Sequence, residues 1–329
     1  MSRPVSLCTL QWGDLPLEDV CRKAKEFGYD GLELAIPGHL DVRETDPAYY
    51  KGIKDLLGKY GLKVYTVSTH LISQAVCDNI DIRHKGLVPD YIWGNGDPEG
   101  VRQRATESLI QTAHAAKALG INTVIGFTGS SIWHMVYSFP PVTEEMIEDG
   151  FRDFARRFKP ILDEYQKLGI RYALEVHPSE IAFDTISAQR AMDAVDNHPA
   201  FGFNYDPSHL GYQGVDYVDF IYTFPQRIFS VHMKDVYWSD VPKQVGVFGG
   251  HVTFGDPRRY WNFRSMGRGK INFEEIIRAL NAVNYQGALA VEWEDSAMDR
   301  EQGALESLHY VKRIDFKTSD IAFDEHFGK

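Results

Sequence analysis

One short pattern recurs along the sequence: a helical segment ends at a glycine, and an apolar strand follows directly. Four copies have their glycines at Gly28, Gly61, Gly120 and Gly169, and a late copy spans 283–291. Glycine suits the left-handed residue that ends a helix, and the lysines in the last turn of the first four copies suit the helix dipole. Alternation of this kind pairs the strands in parallel, because each helix carries the chain back to the start of the next strand.

Eight segments have the length and the apolar character of strands. The predicted strands are Val5–Leu10, Gly31–Ala35, Val64–Ser68, Thr123–Phe127, Arg171–Val176, Phe201–Asp206, Ile228–Lys234 and Ala288–Trp293. The predicted helices between them include Leu17–Phe27, Pro47–Tyr60, Pro98–Leu119, Glu144–Leu168 and Phe273–Val283. Eight parallel strands close a barrel, so we predict an α/β fold of the (β/α)₈ TIM-barrel type. A doubly wound open sheet is the alternative, but its usual Gly-x-Gly-x-x-Gly signature does not follow the first strand.

We assign residues 1–311 to a single catalytic barrel domain. Helical periodicity is lost after this point, so we expect 312–329 to form a tail that packs on the barrel or on a neighbouring subunit. Three long connections, 69–97, 128–143 and 235–272, follow the C-terminal ends of predicted strands, where barrels of this type build their active sites. Four of the six tryptophans lie in these connections and either pack the loops down or form a sugar-stacking lid.

Charge and hydropathy exclude several classes of protein. The chain has 46 acidic and 35 basic side chains, a net charge of −11, whereas nucleic-acid binders need a basic surface. No segment approaches the roughly 20 apolar residues of a membrane helix, and the N-terminus lacks the apolar core of a signal peptide. Cys8, Cys21 and Cys77 are too scattered for a disulfide framework and are expected to be buried. We therefore expect a cytoplasmic protein with a small-molecule substrate and with no nucleic-acid or membrane partner.

The last four predicted strands each end in a carboxylate or an imidazole. Glu175, Asp206, His232 and Glu292 stand at these ends, each after an apolar run. In a barrel the four side chains converge at the mouth, where an unpaired buried charge is costly and three carboxylates repel one another without a cation. The set suits a hard or borderline divalent ion. We predict one such ion, Mn²⁺ in the first place, with Mg²⁺, Co²⁺ or Zn²⁺ as alternatives.

These strand ends resemble those of the sugar phosphate isomerase/epimerase superfamily, the xylose isomerase-like barrels, over almost the whole chain. The resemblance implies that the four strand-end residues bind the metal and that His209, three residues after Asp206, contacts substrate oxygens. It also implies a homo-oligomer, a dimer or a tetramer. The sequence departs from the ketohexose 3-epimerases at Ile181, where those enzymes have a second substrate-binding glutamate, and Glu180 is one residue short of that place.

The runs at the ends of the last three strands look like a bacterial subgroup in which some members act on 3-keto-glycosides, as 4-epimerases or as lyases. A metal that chelates a carbonyl and the adjacent hydroxyl acidifies the C–H bond of the hydroxyl-bearing carbon, and deprotonation there gives an enediolate. We therefore predict a divalent-metal-dependent sugar isomerase or epimerase that acts through an enediolate on a keto-sugar or a 3-keto-glycoside. The alternative is a lyase that eliminates the aglycone from a 3-keto-glycoside.

Two more distant hypotheses fit the sequence less well. An endonuclease IV-like phosphodiesterase needs more histidines at strand ends, and the fourth strand ends in Gly126-Phe127-Thr128 without a metal ligand. A non-catalytic sugar-binding protein does not need a complete set of metal ligands, so the four strand-end residues argue against this hypothesis.

Three residues are candidates for proton transfer. His177, two residues after Glu175, is the candidate base, because a neutral imidazole accepts a proton near neutral pH. A structural histidine is the alternative. Glu292 and Glu175 are the other candidates, since a carboxylate can combine metal binding with proton transfer.

The substrate-binding candidates are polar or aromatic residues near the strand ends: His209, His70, Lys234, Arg268 and Trp12. His70 ends the third strand and can face the site. Lys234 either stabilises an oxyanion or pairs with the next residue along the chain. Arg268 lies between two glycines at a place where relatives carry a basic residue that contacts substrate. Trp12 supplies an apolar face for a sugar or belongs to the core.

Overall fold

The computed structural model describes residues 2–135, 139–325 and 327, and its centre is a closed barrel of eight parallel strands. The barrel strands are β1 (Val5–Cys8), β2 (Gly31–Ala35), β3 (Lys63–Ser68), β4 (Thr123–Gly126), β5 (Arg171–Glu175), β6 (Phe201–Tyr205), β7 (Ile228–Met233) and β10 (Leu289–Val291). Outside the barrel, β8 (Asp235–Trp238) and β9 (Trp261–Arg264) form a separate two-stranded sheet. β10 pairs in parallel with both β7 and β1, which closes the sheet. The predicted TIM barrel is therefore confirmed, and the open sheet, which would leave two edge strands, is wrong.

Helices surround the barrel and return the chain from each strand to the next. They are α1 (Leu17–Phe27), α2 (Pro47–Lys59), α3 (His70–Ser73), α4 (Asp90–Trp93), α5 (Pro98–Leu119), α6 (Glu144–Leu168), α7 (Thr185–Ala194), α8 (Pro207–Gly211), α9 (Tyr217–Thr223), α10 (Phe273–Ala282) and α11 (Arg300–Ile314). The core lies between this layer and the barrel. Phe158 of α6 packs 5.5 Å from the Tyr172 ring of β5, and Phe154 packs 5.7 Å from the Phe201 ring of β6.

The glycine-terminated repeat is borne out at the helix ends. Gly28, Gly120 and Gly169 follow α1, α5 and α6 with positive φ angles between 73° and 99°. Each glycine donates its N–H to carbonyls of the last helical turn, so the helix ends and the chain turns into the next strand.

Four predicted elements are confirmed to the residue: Gly31–Ala35, Leu17–Phe27, Pro98–Leu119 and Glu144–Leu168. The largest differences concern two strands, because the predicted Val5–Leu10 ends at Cys8 and the predicted Ala288–Trp293 shrinks to Leu289–Val291. Strands were mostly predicted too long at their C-terminal ends, where the chain leaves the ladder to build the barrel mouth. Leu10–Trp12, for example, forms a short 3₁₀ helix.

Several elements lie outside the prediction, including the short helices α3, α4, α8 and α9. The repeat did not reveal α7 or α11, and the long connection 235–272 contains an antiparallel hairpin of β8 and β9. The boundary at 311 is also displaced, because α11 continues to Ile314. Directly after it, the buried Asp315 carboxylate pairs with the Arg3 guanidinium, with Oδ1 and Nη1 2.5 Å apart. The start of the tail therefore packs on the barrel's own N-terminal end.

The three cysteines are buried and free, as expected. Within the residues described, none of the helices combines the length and the apolar character needed to cross a membrane.

Candidate active site

Four elements bring the predicted metal ligands together at the C-terminal mouth of the barrel. Glu175 ends β5, His232 lies near the end of β7, and Glu292 directly follows β10. Asp206 follows β6 and caps α8, because one of its oxygens accepts a backbone N–H of that helix at 2.8 Å. One ligand atom from each of the four lies within 4.8 Å of the others, and all four residues are buried.

The His232 ring is held between two sets of carboxylates. Its Nδ1 lies 3.0 Å from Glu175 Oε2 and 3.3 Å from Glu292 Oε2. On the other side, its Nε2 lies 3.1 Å from Oε1 of Glu33, a fully buried glutamate of β2 that the sequence analysis missed. Burial disfavours the charged ring, but these three carboxylates raise the pKa of His232 well above its ordinary value. In the neutral ring that a metal ligand requires, an Nε2–H that donates to Glu33 would leave the Nδ1 lone pair directed at the cluster.

Two buried atoms of the cluster make no hydrogen bond of normal geometry: His232 Nδ1 and Asp206 Oδ2. Buried polar atoms are almost always satisfied by hydrogen bonds, and these two converge with two further carboxylates, so the four residues are placed where they could hold a cation. Three carboxylates and one imidazole also form a donor set suited to Mn²⁺ and similar divalent ions. The residues present therefore fit the predicted metal.

Glu175 is the most heavily contacted carboxylate of the site. Its Oε2 lies 3.0 Å from His70 Nε2 and accepts a hydrogen bond from Asn204 Nδ2 at 2.8 Å. Its Oε1 lies 3.1 Å from His209 Nε2. The structure thus places His70 and His209 in contact with the carboxylate–histidine cluster, and Asn204 joins them without having been predicted. A carboxylate with this many partners is poorly placed to act as a mobile base.

Lys234 does not pair with the next residue. Its Nζ lies 2.7 Å from Glu292 Oε2, 3.1 Å from Asp206 Oδ2 and 3.2 Å from Glu294 Oε2. Asp235 instead accepts backbone N–H groups from the loop between β9 and α10, including that of Gly269 at 2.8 Å. Consecutive residues of this extended segment point to opposite sides, so Lys234 faces the mouth and Asp235 faces the loop.

His177 faces the same cavity with one nitrogen unused. Its Nδ1 lies 2.5 Å from the Pro178 carbonyl, which makes Nδ1 the donor, and within the described residues Nε2 has no hydrogen-bond partner. The ring packs 4.2 Å from His209 and 5.0 Å from Phe127, measured between ring centroids. Burial lowers the pKa of His177 to about 4, so the ring is neutral at neutral pH.

A cavity of about 440 Å³ lies above these groups. Its floor is polar and carries Glu175, His177, Lys234 and Glu292, whereas much of its wall is apolar. The lining residues that sequence analysis missed are Leu10, Gln11, Leu71, Phe127, Phe254, Phe263, Trp293, Glu294 and Ser296. Leu10, Phe127 and Trp293 end predicted strands, and Gln11 and Glu294 directly follow two of these strands, which is the signal that could have identified them. Phe254 and Phe263 depend on the unpredicted hairpin.

Two of the predicted substrate contacts, Trp12 and Arg268, do not line the cavity. Arg268 lies outside the mouth, where its guanidinium pairs with Glu306 of α11 at 2.5 Å. Trp12 is fully buried and packs against Phe27 and the Arg300 guanidinium, so it belongs to the core and does not line the cavity. The tryptophans of the long connections, Trp93, Trp133, Trp238 and Trp261, do not line the cavity either, and residues 136–138 of one connection lie outside the described residues.

Glu180 lies one residue before the position at which ketohexose 3-epimerases have a second substrate-binding glutamate. Its side chain is turned away from the cavity. It is buried, and its Oε2 accepts the backbone N–H groups of Thr128 at 2.8 Å and Gly129 at 2.6 Å. Glu180 therefore ties the loop after β5 to the loop after β4. Burial, with a smaller contribution from Asp78, raises the pKa of Glu180 from its ordinary value near 4.5 to about 8.

This raised pKa predicts a pH dependence of stability. The folded protein holds a proton on Glu180 that the unfolded chain releases, so stability should fall as the pH rises from about 5 to 8. Glu180→Gln keeps an oxygen acceptor and removes the titration, so the variant should gain about 1 kcal/mol or more relative to wild type across this range. Denaturant unfolding at several pH values measures the effect, with the exposed Glu107→Gln as the control. Parallel pH curves for wild type and Glu180→Gln would contradict it.

Comparison with known proteins places this geometry in a family. The sequence model of the Xylose isomerase-like TIM barrel family matches residues 21–314. The chain belongs to this family. The uncharacterized protein YfiH of Bacillus subtilis is 26% identical over 326 residues, which cover 94% of this chain and 98% of YfiH.

Named relatives in the comparisons include dehydratases and epimerases. Inosose dehydratase of Clostridium perfringens is 28% identical over 146 residues, which cover 44% of this chain and 48% of that enzyme. The 3-keto-D-glucoside 4-epimerase YcjR of E. coli has the same xylose isomerase-like fold, with a TM-score of 0.64 and 15% identity over 94% of this chain and 99% of YcjR. The proteins to which this chain is similar thus include an epimerase in fold and a dehydratase in part of its sequence.

Proposed function

We propose that this protein is a divalent-metal-dependent isomerase or epimerase that acts on a keto-sugar or a 3-keto-glycoside through an enediolate. One observation carries the proposal: the unused Nε2 of His177 faces the same cavity floor as the carboxylate–histidine cluster. A base and a charge-stabilising site on one floor are what abstraction of a proton beside a carbonyl requires.

The metal would be held by Glu175, Asp206, His232 and Glu292, and we propose Mn²⁺. When bound, it supplies Lewis acidity toward a carbonyl and its neighbouring hydroxyl. Every other part of the chemistry belongs to the side chains around it. Lys234 supplies a positive charge at the floor, and His209 and His70 are within reach of substrate hydroxyls.

His177 would remove the proton from the hydroxyl-bearing carbon next to the carbonyl, and the electrons of that C–H bond would pass into the enediolate. Its Nδ1–H is committed to the Pro178 carbonyl, so Nε2 is the basic nitrogen and faces the cavity. The contact with Phe127 fixes the ring on one side. Return of the proton from the opposite face of the enediolate would give an epimer, and its return to the neighbouring carbon would give the aldose–ketose isomer.

The cavity wall supports a neutral substrate with an apolar group. Phe254, Phe263 and Trp293 line the wall above the polar floor, which suits an aglycone above a keto-sugar ring. Apart from histidines, Lys234 is the one cation among the described lining residues, and three carboxylates already hold it. A phosphorylated sugar would therefore find at most one basic side chain for its phosphate, and carboxylates already neutralise that side chain. The similarity to a 3-keto-D-glucoside 4-epimerase supports the same substrate class.

A lyase is the second candidate, and the same apolar wall favours it. Deprotonation next to the carbonyl leaves an enediolate that can expel a β-oxygen substituent instead of taking the proton back. The wall offers a place for the departing aglycone. The similarity to inosose dehydratase, whose name describes an elimination, supports this reading.

One incubation tests the proposed function and separates the two reactions. Mn²⁺-loaded protein is supplied in deuterated water with ketohexoses and, separately, with a 3-keto-glucoside that carries an aryl aglycone. Deuterium incorporation with an intact glycosidic bond supports an isomerase or epimerase, whereas release of the aglycone supports the lyase. His177→Asn should lower either rate by about 10²- to 10⁴-fold, as expected for loss of a general base. The exposed His114→Asn is the control.

If the His177→Asn variant kept wild-type rates, His177 would not be the general base. Neither deuterium incorporation nor aglycone release from any of these substrates would contradict the proposed function. Assembly into a homodimer or homotetramer, and packing of the end of the chain on a neighbouring subunit, remain predictions.

A further inference from the structure

Lys234 lies at the bottom of the cavity as a buried cation among carboxylates. Its side chain is 2% exposed, and the ring of Phe263 covers it with a centroid 4.7 Å from Nζ. Its ammonium contacts Glu292 Oε2 at 2.7 Å, Asp206 Oδ2 at 3.1 Å and Glu294 Oε2 at 3.2 Å. A lysine buried in this way is stable only while these carboxylates neutralise it.

Two of the three oxygens that hold Lys234 belong to the metal cluster. Asp206 uses Oδ1 to cap α8, which leaves Oδ2 as the oxygen for a cation. Glu292 uses Oε1 to accept a hydrogen bond from Gln11 at 3.1 Å, whereas its Oε2 lies 3.3 Å from His232 Nδ1 and so faces the cluster. A divalent ion and the lysine therefore draw on the same two oxygens.

Glu294 offers the ammonium a second position. It follows the ligand Glu292 by two residues, lines the cavity and is not part of the four-residue cluster. A small rotation of the Lys234 side chain toward Glu294 would keep the charge paired and would bring Nζ closer to the substrate side of the cavity. Repulsion between a divalent ion and an ammonium that share an oxygen favours this rotation, since Coulomb energies are large at buried sites.

We propose that Lys234 is an internal counter-ion that exchanges with the divalent metal. In the metal-free protein it neutralises Asp206 and Glu292; when the metal binds, it moves to Glu294 and the cavity. The proposal rests on the metal site of the proposed function. Through this exchange, binding of the metal would at the same time place the positive charge of Lys234 next to the substrate.

Mn²⁺ titration of the metal-free protein by calorimetry tests this exchange. Lys234→Met removes the competing charge at similar side-chain length, so its Kd for Mn²⁺ should fall by about 10-fold or more. The rise in Tm on adding Mn²⁺ should also be larger than in wild type, because the metal-free variant has uncompensated carboxylates. Lys270→Met is the matched control, since Lys270 pairs with Asp240 and does not line the cavity.

The outcomes separate the exchange from the metal site. Equal or weaker Mn²⁺ binding in Lys234→Met than in wild type would overturn the exchange and leave the metal site standing. No Mn²⁺ binding in wild type would overturn the metal site and the proposed function with it. If Lys234→Met does not fold, crystals of wild type with Mn²⁺ decide: the distance from Nζ to Asp206 Oδ2 should exceed about 4 Å, the usual limit of an ion pair. A distance that stays near 3.1 Å would overturn the exchange.

Discussion

Glu175→Gln is expected to abolish turnover and to weaken Mn²⁺ binding by more than about 100-fold. This loss of affinity is larger than the loss expected when a residue that only contacts a metal ligand is removed. Glu175 contacts His232, His70, His209 and Asn204, so the substitution removes a negative charge at the centre of the cluster. Glu292→Gln should have the same direction of effect. Elemental analysis of the purified protein and calorimetric titration with Mn²⁺ measure the metal, and the substrate incubation measures turnover.

The exposed Glu107→Gln, on the outer face of α5, is the control for a glutamate lost without consequence. About one equivalent of metal in wild type, lost in Glu175→Gln and retained in Glu107→Gln, would support the site. Wild-type protein that takes up no metal after incubation with Mn²⁺ would end the proposal of metal-dependent chemistry.

Glu33→Gln is expected to weaken Mn²⁺ binding by about 10- to 100-fold, although Glu33 is not one of the four ligands. Its carboxylate lies 3.1 Å from His232 Nε2 and thereby directs the Nδ1 lone pair toward the cluster. A neutral amide holds the ring less firmly and makes the imidazole a weaker donor. The substitution should also reduce stability by about 1–3 kcal/mol, because it disturbs a buried hydrogen-bonded charge.

Thr66→Val is the matched control for Glu33. Thr66 donates its hydroxyl to Glu33 Oε2 at 2.9 Å, so the variant disturbs the same carboxylate and leaves its charge in place. Mn²⁺ binding should change much less than in Glu33→Gln. Equal losses in the two variants would mean that local packing, and not the charge behind His232, governs the affinity.

The fold could be predicted because its signals are local. Gly28, Gly120 and Gly169 end helices through backbone angles that glycine adopts at low cost, and the alternation of helix and strand then restricts the topology. The hairpin of β8 and β9 escaped prediction because an antiparallel pair inside a long connection has no part in that alternation. α11 continued past the predicted boundary because a buried ion pair of Asp315 with Arg3, 312 residues away, anchors the chain just beyond it.

The candidate site divides in the same way. Glu175, Asp206, His232 and Glu292 could be predicted because parallel strands in a barrel bring all their C-terminal ends to one mouth. Trp12 and Arg268 were misplaced because nearness in sequence to a strand end or a glycine turn does not determine which way a side chain points. Trp12 turns into the core, and Arg268 turns outward to α11.

The sequence by itself determined the barrel, its order of strands and the convergence of Glu175, Asp206, His232 and Glu292, since periodicity, helix ends and strand ends are encoded within a few residues. Only the tertiary structure decided the partners of those ligands. Glu33 reaches His232 from the second strand, 199 residues away in sequence. Lys234 bridges Asp206 and Glu292, and the three residues come from the ends of three different strands. Such contacts depend on side-chain direction and on distances of about 3 Å across the closed barrel, which no local pattern specifies.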